Sequence, residues 1–200
     1  MSSLVSVVIP VYNSAPYIKE TINSVLRQTY SNIEIIVVDD GSTDNSIDII
    51  KGIKDERIRI YIQENQGPAA ARNKGMELSL GAYIAFNDAD DTWLENKLEL
   101  QLIKIHENLA FTCISDVCMV DENGKVIGFR RQDIGSDIIE NILLHKVTNF
   151  TPTLLFKNEG KVRFDSNLRY SEDYLFLMEL SKLGKVVNMN SLLIIDKINS

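Results

Sequence analysis

The stretch from Ile33 to Asp44 constrains this chain most. Its apolar run, Ile35 to Val38, is short and rich in β-branched residues, as a strand buried on both faces would be. The run ends abruptly in Asp39 and Asp40, followed by Gly41 and the pair Ser42–Thr43. Tyr83 to Asp91 repeats the pattern and closes on Asp88, Asp90 and Asp91. Buried strands that stop in acids put them at the carboxyl edge of an open α/β sheet, where ligands bind. Several carboxylates at one edge repel one another without a counter-ion, so such a crevice calls for a cation.

The flanking chain follows the same grammar. Leu4 to Ile9 reads as a strand closed by Pro10. Ser14 is the expected N-cap of a helix that carries Ile18, Ile22, Val25 and Leu26 on one face. Ser42 and Thr43 are expected to cap a second helix, Asn45 to Ile53. A half-buried strand (Arg57 to Gln63), a helix (Ala69 to Leu80) and a strand (Ala82 to Phe86) follow. This β-α-β-α-β-α-β order predicts an α/β fold, a mostly parallel, doubly wound central sheet with helices on both faces. Asp91 and Thr92 are expected to cap a long amphipathic helix bearing Leu94, Leu98, Leu102, Ile105 and Leu109.

From Phe111 the pattern becomes irregular. A strand to Val120, a turn at Asp121–Gly124 and a strand to Phe129 read as a hairpin. A helix over Ile138 to Val147, a short strand over Thr153 to Lys157 and a helix over Asp173 to Leu183 complete the expectation. The 200 residues favour a single domain. Its regular half is 1–110, and the irregular half, 111–200, completes the sheet and a second subsite.

Charge and cysteine content narrow the function classes. The net charge is −7, with 28 acidic against 21 basic residues and no basic cluster, which argues against nucleic acid as a partner. Cys113 and Cys118, five positions apart, fall on opposite faces of a strand, so no bridge is expected and a reduced, cytosolic compartment fits. The N-terminus has no signal-peptide pattern, and no apolar run approaches the ~20 residues that span a bilayer.

The candidate site residues each have a plain and a chemical reading. Asp88 and Asp90 are hard oxygen donors suited to Mg²⁺ or Mn²⁺. Asp39 either closes an Asx-type turn ahead of Gly41 or accepts a hydrogen bond from a base or ribose. Gly67 to Gly75 opens a helix whose alanines suit close packing, and Arg72 in its second turn could neutralise a phosphate. Glu172 and Asp173 are either first-turn charges or a general base with its neighbour. Trp93 is a packing anchor or a ligand platform. His106 and His145 are read as surface residues of helices.

Together these motifs resemble the family 2 glycosyltransferases of the GT-A fold. The matching segments are Val8 to Asn13, Glu34 to Asp44, Asn65 to Gly67, Ala71 to Gly75, Tyr83 to Asp91, and Phe164–Asp165 with Ser171 to Asp173. The resemblance implies a nucleotide-sugar donor, often UDP-linked. Pro10 and Tyr12 would lie against the base, Asp39 would accept from it, and Arg72 would help hold the nucleotide. It implies Asp88 near the ribose, Asp90 on a Mn²⁺ or Mg²⁺ that bridges the diphosphate, and Asp173 as catalytic base. Glu172 and Trp93 would stand on the acceptor side. The implied reaction is inverting transfer of a hexosyl group to a hydroxyl of a saccharide or lipid-linked acceptor. The implied setting is polysaccharide synthesis in the cytoplasm, with peripheral association at the inner face of the membrane.

One departure stands out. Many relatives carry an Arg/His segment soon after the acid-pair helix, whereas Leu192 to Ser200 holds no histidine. Either Lys197 stands in for part of that segment or the chain is a truncated catalytic domain. The rival readings are therefore a non-catalytic nucleotide-sugar-binding domain and a nucleotidyltransferase. The second would want a basic, glycine-rich loop where this chain has Pro10 to Pro16.

Overall fold

The structure, a computed structural model, describes residues 3–147, 151–168 and 170–197. The first half follows the predicted alternation. Strands β1 (Val5–Val11), β2 (Ile33–Asp39), β3 (Ile58–Ile62) and β4 (Tyr83–Phe86) pair in parallel in the order β3-β2-β1-β4. They alternate with α1 (Ile18–Leu26), α2 (Ser46–Gly52) and α3 (Pro68–Leu78).

Beyond β4 the sheet continues with strands from the irregular half. β8 (Leu155–Lys157) adds antiparallel to β4, and β6 (Thr112–Val120) antiparallel to β8. β9 (Val186–Lys197) then runs parallel to β6 and pairs at its far end with the two-residue β5 (Thr92–Trp93). β7 (Val126–Arg130) hangs from β6 as the predicted hairpin partner. The two halves therefore share one sheet.

Side-chain alternation divides the core into two layers. Val5, Val7, Ile9 and Ile35 pack against α1, α2 and α4 (Lys97–Asn108) on one face. Val8, Ile36 and Phe86 pack against α3, α5 (Ile138–Leu143) and α6 (Glu172–Leu183) on the other. Helix α3 packs tightly on the sheet, because Gly75 rests directly on the Val8 side chain with no room for a Cβ.

Several local expectations are corrected. Asp91 and Thr92 do not cap α4: Thr92 and Trp93 are drawn into the sheet by β9, and Asn96 precedes the helix. Ser14 does not cap α1 either, because the helix is entered from Tyr17. Ser42 and Thr43 do not cap α2, which is entered from Asn45. α5 stops at Leu143, with His145 in the left-handed region, rather than running to Val147. β9 was not anticipated. Both cysteines are free, and no helix among the described residues is long and apolar enough to cross a membrane.

Candidate active site

The carboxyl ends of β1 and β4 and the N-terminus of α3 surround a cleft of about 570 Å³. Pro10, Tyr12, Asp40, Arg72, Asp88 and Asp90 are among its lining residues. Tyr12 is 52% exposed, so its ring is free to meet a ligand.

The rim is sewn together by Asn13 and Ser46, which bond to Ser14, Ser42 and Thr43, the residues that were expected to cap helices. Asn13, at a positive φ of 48°, accepts hydrogen bonds through Oδ1 from the Thr43 and Asp44 amides at 2.8 and 3.3 Å. Ser42 Oγ accepts from the Asn13 amide at 3.0 Å, and Ser46 Oγ from the Ser14 amide at 2.8 Å. These bonds join the loop after β1 to the loop after β2.

The two acids at the tip of β2 do different work. Asp40 is fully engaged: it accepts from Gln63 Nε2 at 2.8 Å, from the Gln66 amide at 2.9 Å and from the Gly67 amide at 2.8 Å. It thereby pins the turn that opens α3. Asp39 accepts from the Ser42 amide at 3.2 Å through Oδ2, while its Oδ1 is buried with no partner. Buried carboxylate oxygens are ordinarily satisfied, so this atom is an acceptor in want of a donor. Both sequence readings of Asp39 thus retain an oxygen.

Arg72 organises the far wall. Its Nη2 pairs with Asp88 at 2.7 Å and its Nη1 stands 3.9 Å from Glu172. The guanidinium lies 5.5 Å from the centre of the Phe164 ring, and Nε is buried without a partner. Glu172 and Asp173 begin α6 just beyond it. Burial pushes the Asp173 carboxyl above its usual value, the Glu172 charge adds to this, and Arg72 partly offsets it.

The acids after β4 repel one another. The Asp90 carboxyl is raised by burial and then by the charges of Asp88 and Asp196. Asp91, 1% exposed and with an unpartnered Oδ2, is pushed up to about 10 by burial and by Asp88, Asp196 and Asp90. Asp196 comes from β9: the register Thr92 to Ile195 brings it opposite Asp91, and Arg130 pairs with it at 3.6 Å. Neither Asp196 nor Arg130 was picked out from the sequence.

Among the described residues no group of three or more His, Cys, Asp or Glu side chains forms a ready-made metal cage. A hard divalent ion that takes one or two carboxylates and fills its shell with phosphate and water still suits these oxygens, because Arg72 and Arg130 pair with Asp88 and Asp196 while burial and acidic neighbours keep the Asp90 and Asp91 carboxyls raised.

Trp93 is corrected from an acceptor-side residue to a packing anchor. It is 4% exposed, its amide donates to Ser24 Oγ at 3.1 Å, and Lys97 Nζ lies 4.0 Å from its ring centre. The ring presents no face to the cleft. The Lys197 side chain, which was considered as a stand-in for a missing basic segment, lies outside the described residues, as do residues 198–200.

Residues 6–165 match the family described as Glycosyl transferase family 2. The chain belongs to that family. A relative, TuaG of Bacillus subtilis, bears the name "Putative teichuronic acid biosynthesis glycosyltransferase". It is 50% identical over 188 residues, covering 90% of this chain and 73% of its own. Against its Rickettsia relatives, uncharacterised glycosyltransferases, the chain spans only 26% and 31% of their length.

Solved structures show the same GT-A fold. Staphylococcus aureus TarS in complex with UDP-GlcNAc superposes with a TM-score of 0.80 at 23% identity, over 98% of this chain and 59% of that one. The mannosyltransferase PcManGT of Pyrobaculum calidifontis, in complex with GDP-Man and Mn²⁺, gives 0.73 at 17% identity, over 98% and 57%.

Proposed function

We propose that this chain is the catalytic domain of an inverting glycosyltransferase that moves a hexosyl group from a nucleotide diphosphate, UDP-linked in the first instance, to a saccharide or lipid-linked hydroxyl. The observation that carries this reading is that Arg72, which lines the cleft with donor-side Asp88, also reaches base-side Glu172. The nucleotide sugars bound by TarS and PcManGT support the substrate class. The name of TuaG supports an envelope polysaccharide as product.

The residues divide the task as follows. Tyr12 and Pro10 flank the base, and the unpaired Oδ1 of Asp39 accepts from it. Arg72 and Asp88 position the ribose and diphosphate. Asp90 would hold Mn²⁺ or Mg²⁺, which supplies Lewis-acid compensation for charge on the departing diphosphate. Asp173 takes the proton from the acceptor hydroxyl as that oxygen attacks the anomeric carbon. Displacement from the opposite face inverts that carbon, as in inverting glycosidases.

In this reading residues 1–110 hold the donor and 111–200 the acceptor. The enzyme works in the cytoplasm and meets a lipid-linked acceptor at the inner membrane face.

Calorimetric titration of UDP, UDP-glucose, UDP-GlcNAc and UDP-glucuronate with and without Mn²⁺, followed by UDP-release assays, tests the proposal. Mn²⁺-dependent binding with slow UDP release is the expected result. Binding without release or transfer for any donor would identify a binding module instead, and no nucleotide binding would overturn both.

A further inference from the structure

Two matched motifs, Asn73 and Phe164–Asp165, have no part in the chemistry above, yet the structure joins them. Asn73 Oδ1 accepts from the Phe164 amide at 2.8 Å, and Asn73 Nδ2 donates to the Phe164 carbonyl at 2.8 Å. The two residues are 91 positions apart. Phe164 is a buried residue in an irregular stretch and has no strand partner, so without Asn73 its amide and carbonyl would lack these partners. The carboxamide acts as a one-residue strand partner.

The Phe164 ring connects the three elements that carry the site. It stacks on Phe176 of α6 with centroids 4.0 Å apart and planes 3° apart. Phe176 is one helical turn beyond Asp173 and shares its side of the helix. The ring also meets Phe86, the last residue of β4, edge-on at 5.4 Å, and β4 leads directly to Asp88 and Asp90. Arg72 lies over the same ring at 5.5 Å.

Helix α3 is seated closely on β1, since a Cβ added at Gly75 would lie 2.1 Å from Val8 Cγ1. Aromatic contacts tolerate sliding, whereas a paired donor and acceptor on one backbone residue do not.

We propose that Asn73 is a positioning residue that, by clasping the Phe164 backbone, fixes Asp173 relative to Asp88 and Asp90. The proposal rests on the role of Asp173 argued above. Reaction geometry is sensitive on this scale: a displacement of about 1 Å costs on the order of 10²-fold in rate.

The test compares wild type, Asn73→Ala, the milder Asn73→Ser, and an exposed neighbour control, Lys74→Ala. UDP binding with Mn²⁺ should match in all four within about twofold, since Asn73 does not line the cleft. For whichever of UDP-glucose, UDP-GlcNAc and UDP-glucuronate the wild type turns over, kcat should fall about 10- to 100-fold in Asn73→Ala with KM for the donor unchanged. Amide exchange should quicken in residues 164–176 and stay unchanged in β1 and β2.

Asn73→Ser carries the test if Asn73→Ala does not fold. Unchanged kcat, or a rise in KM with kcat preserved, overturns the proposal. If the wild type turns over no donor, the functional reading fails separately. The exchange data then decide, and unaltered exchange across 164–176 overturns the clasp.

Discussion

Arg72 pairs with Asp88 at 2.7 Å through a side chain that is only 8% exposed. The same guanidinium acts on the acid pair at the head of α6, so in the proposed reading one cation serves the donor side and the base side together. This has a consequence for pH. In the proposed mechanism Asp173 must be ionised to accept a proton, and burial followed by the Glu172 charge raises its carboxyl above the ordinary range. Activity should therefore fall as the medium is acidified through that raised value. Glu172→Gln removes a raising charge and should move the acid limb of the kcat/KM profile to lower pH. Arg72→Gln removes a lowering one and should move it higher. Asp173→Asn should cost about 10²- to 10⁴-fold in turnover while UDP binding is retained. Opposite displacement of the two limbs in pH–rate profiles is the check.

The acidic edge gives a second prediction. Asp91 faces Asp196 across the β5–β9 ladder with an unpaired oxygen, and both are raised by burial and by neighbouring carboxylates. Removing Asp90 should abolish the benefit of Mn²⁺ for UDP binding, weakening it at least about tenfold, the scale seen when metal-site partners are lost. A carboxyl pushed up to about 10 is protonated in the fold at neutral pH, and taking up that proton costs stability. Asp91→Asn removes that cost and should raise the melting temperature without metal and shrink the rise on adding Mn²⁺. Calorimetry and thermal melts with and without the ion measure both effects. An Asp91→Asn melt lower than wild type in metal-free buffer would count against that cost.

These two sites were unequally legible in the sequence. Asp39, Asp88 and Asp90 announce themselves because a buried strand that stops in carboxylates is a local pattern, set by alternation and length. Asp91 misleads for the same reason. An Asp-Thr pair ahead of a helical apolar period is the local signature of a cap, but β9 captures Thr92 and Trp93 into the sheet. β9 itself is hidden because Asn188, Asn190 and Ser191 interrupt its apolar run. Only its long pairing with β6 makes it a strand. Asp196 reaches the acidic edge through that nonlocal register, which no window of sequence contains, and meets Arg130 at the end of the β6–β7 hairpin. The Asn13 stitch between the two rim loops was missed too, although an asparagine in a turn tolerant of positive φ was a readable hint.

The seating of α3 on β1 is testable by a single methyl. At an exposed helix position alanine gains about 1 kcal/mol over glycine. At Gly75 the new Cβ would collide with Val8, whose own side chain is locked in the buried sheet. Overpacking of this kind costs about 1–3 kcal/mol, so the clash should prevail over propensity. Gly75→Ala is expected to lower the urea midpoint and, by tilting α3, to weaken UDP binding. Gly52→Ala, where no atom lies within 4 Å of the added carbon, should be neutral or stabilising in the same experiment.

Lys97 offers a pH-linked test away from the site. It is wholly buried, its Nζ donates to Gln101 Oε1 at 2.8 Å and caps the Trp93 ring, and burial lowers its pKa from 10.5 to about 7. Between those two values the unfolded chain holds a proton that the folded chain has released. Stability therefore rises with pH across that window, by at most about 1.4 kcal/mol per pH unit from this group. Below about pH 7 both states are protonated and the cost of the buried charge is carried in full. Lys97→Met keeps the apolar stem on Trp93 and removes the titration, so the variant's urea midpoint should vary less than wild type's between pH 7 and 9. Parallel slopes for the two proteins would mean that Lys97 stays charged in the core, held by the Trp93 face and Gln101.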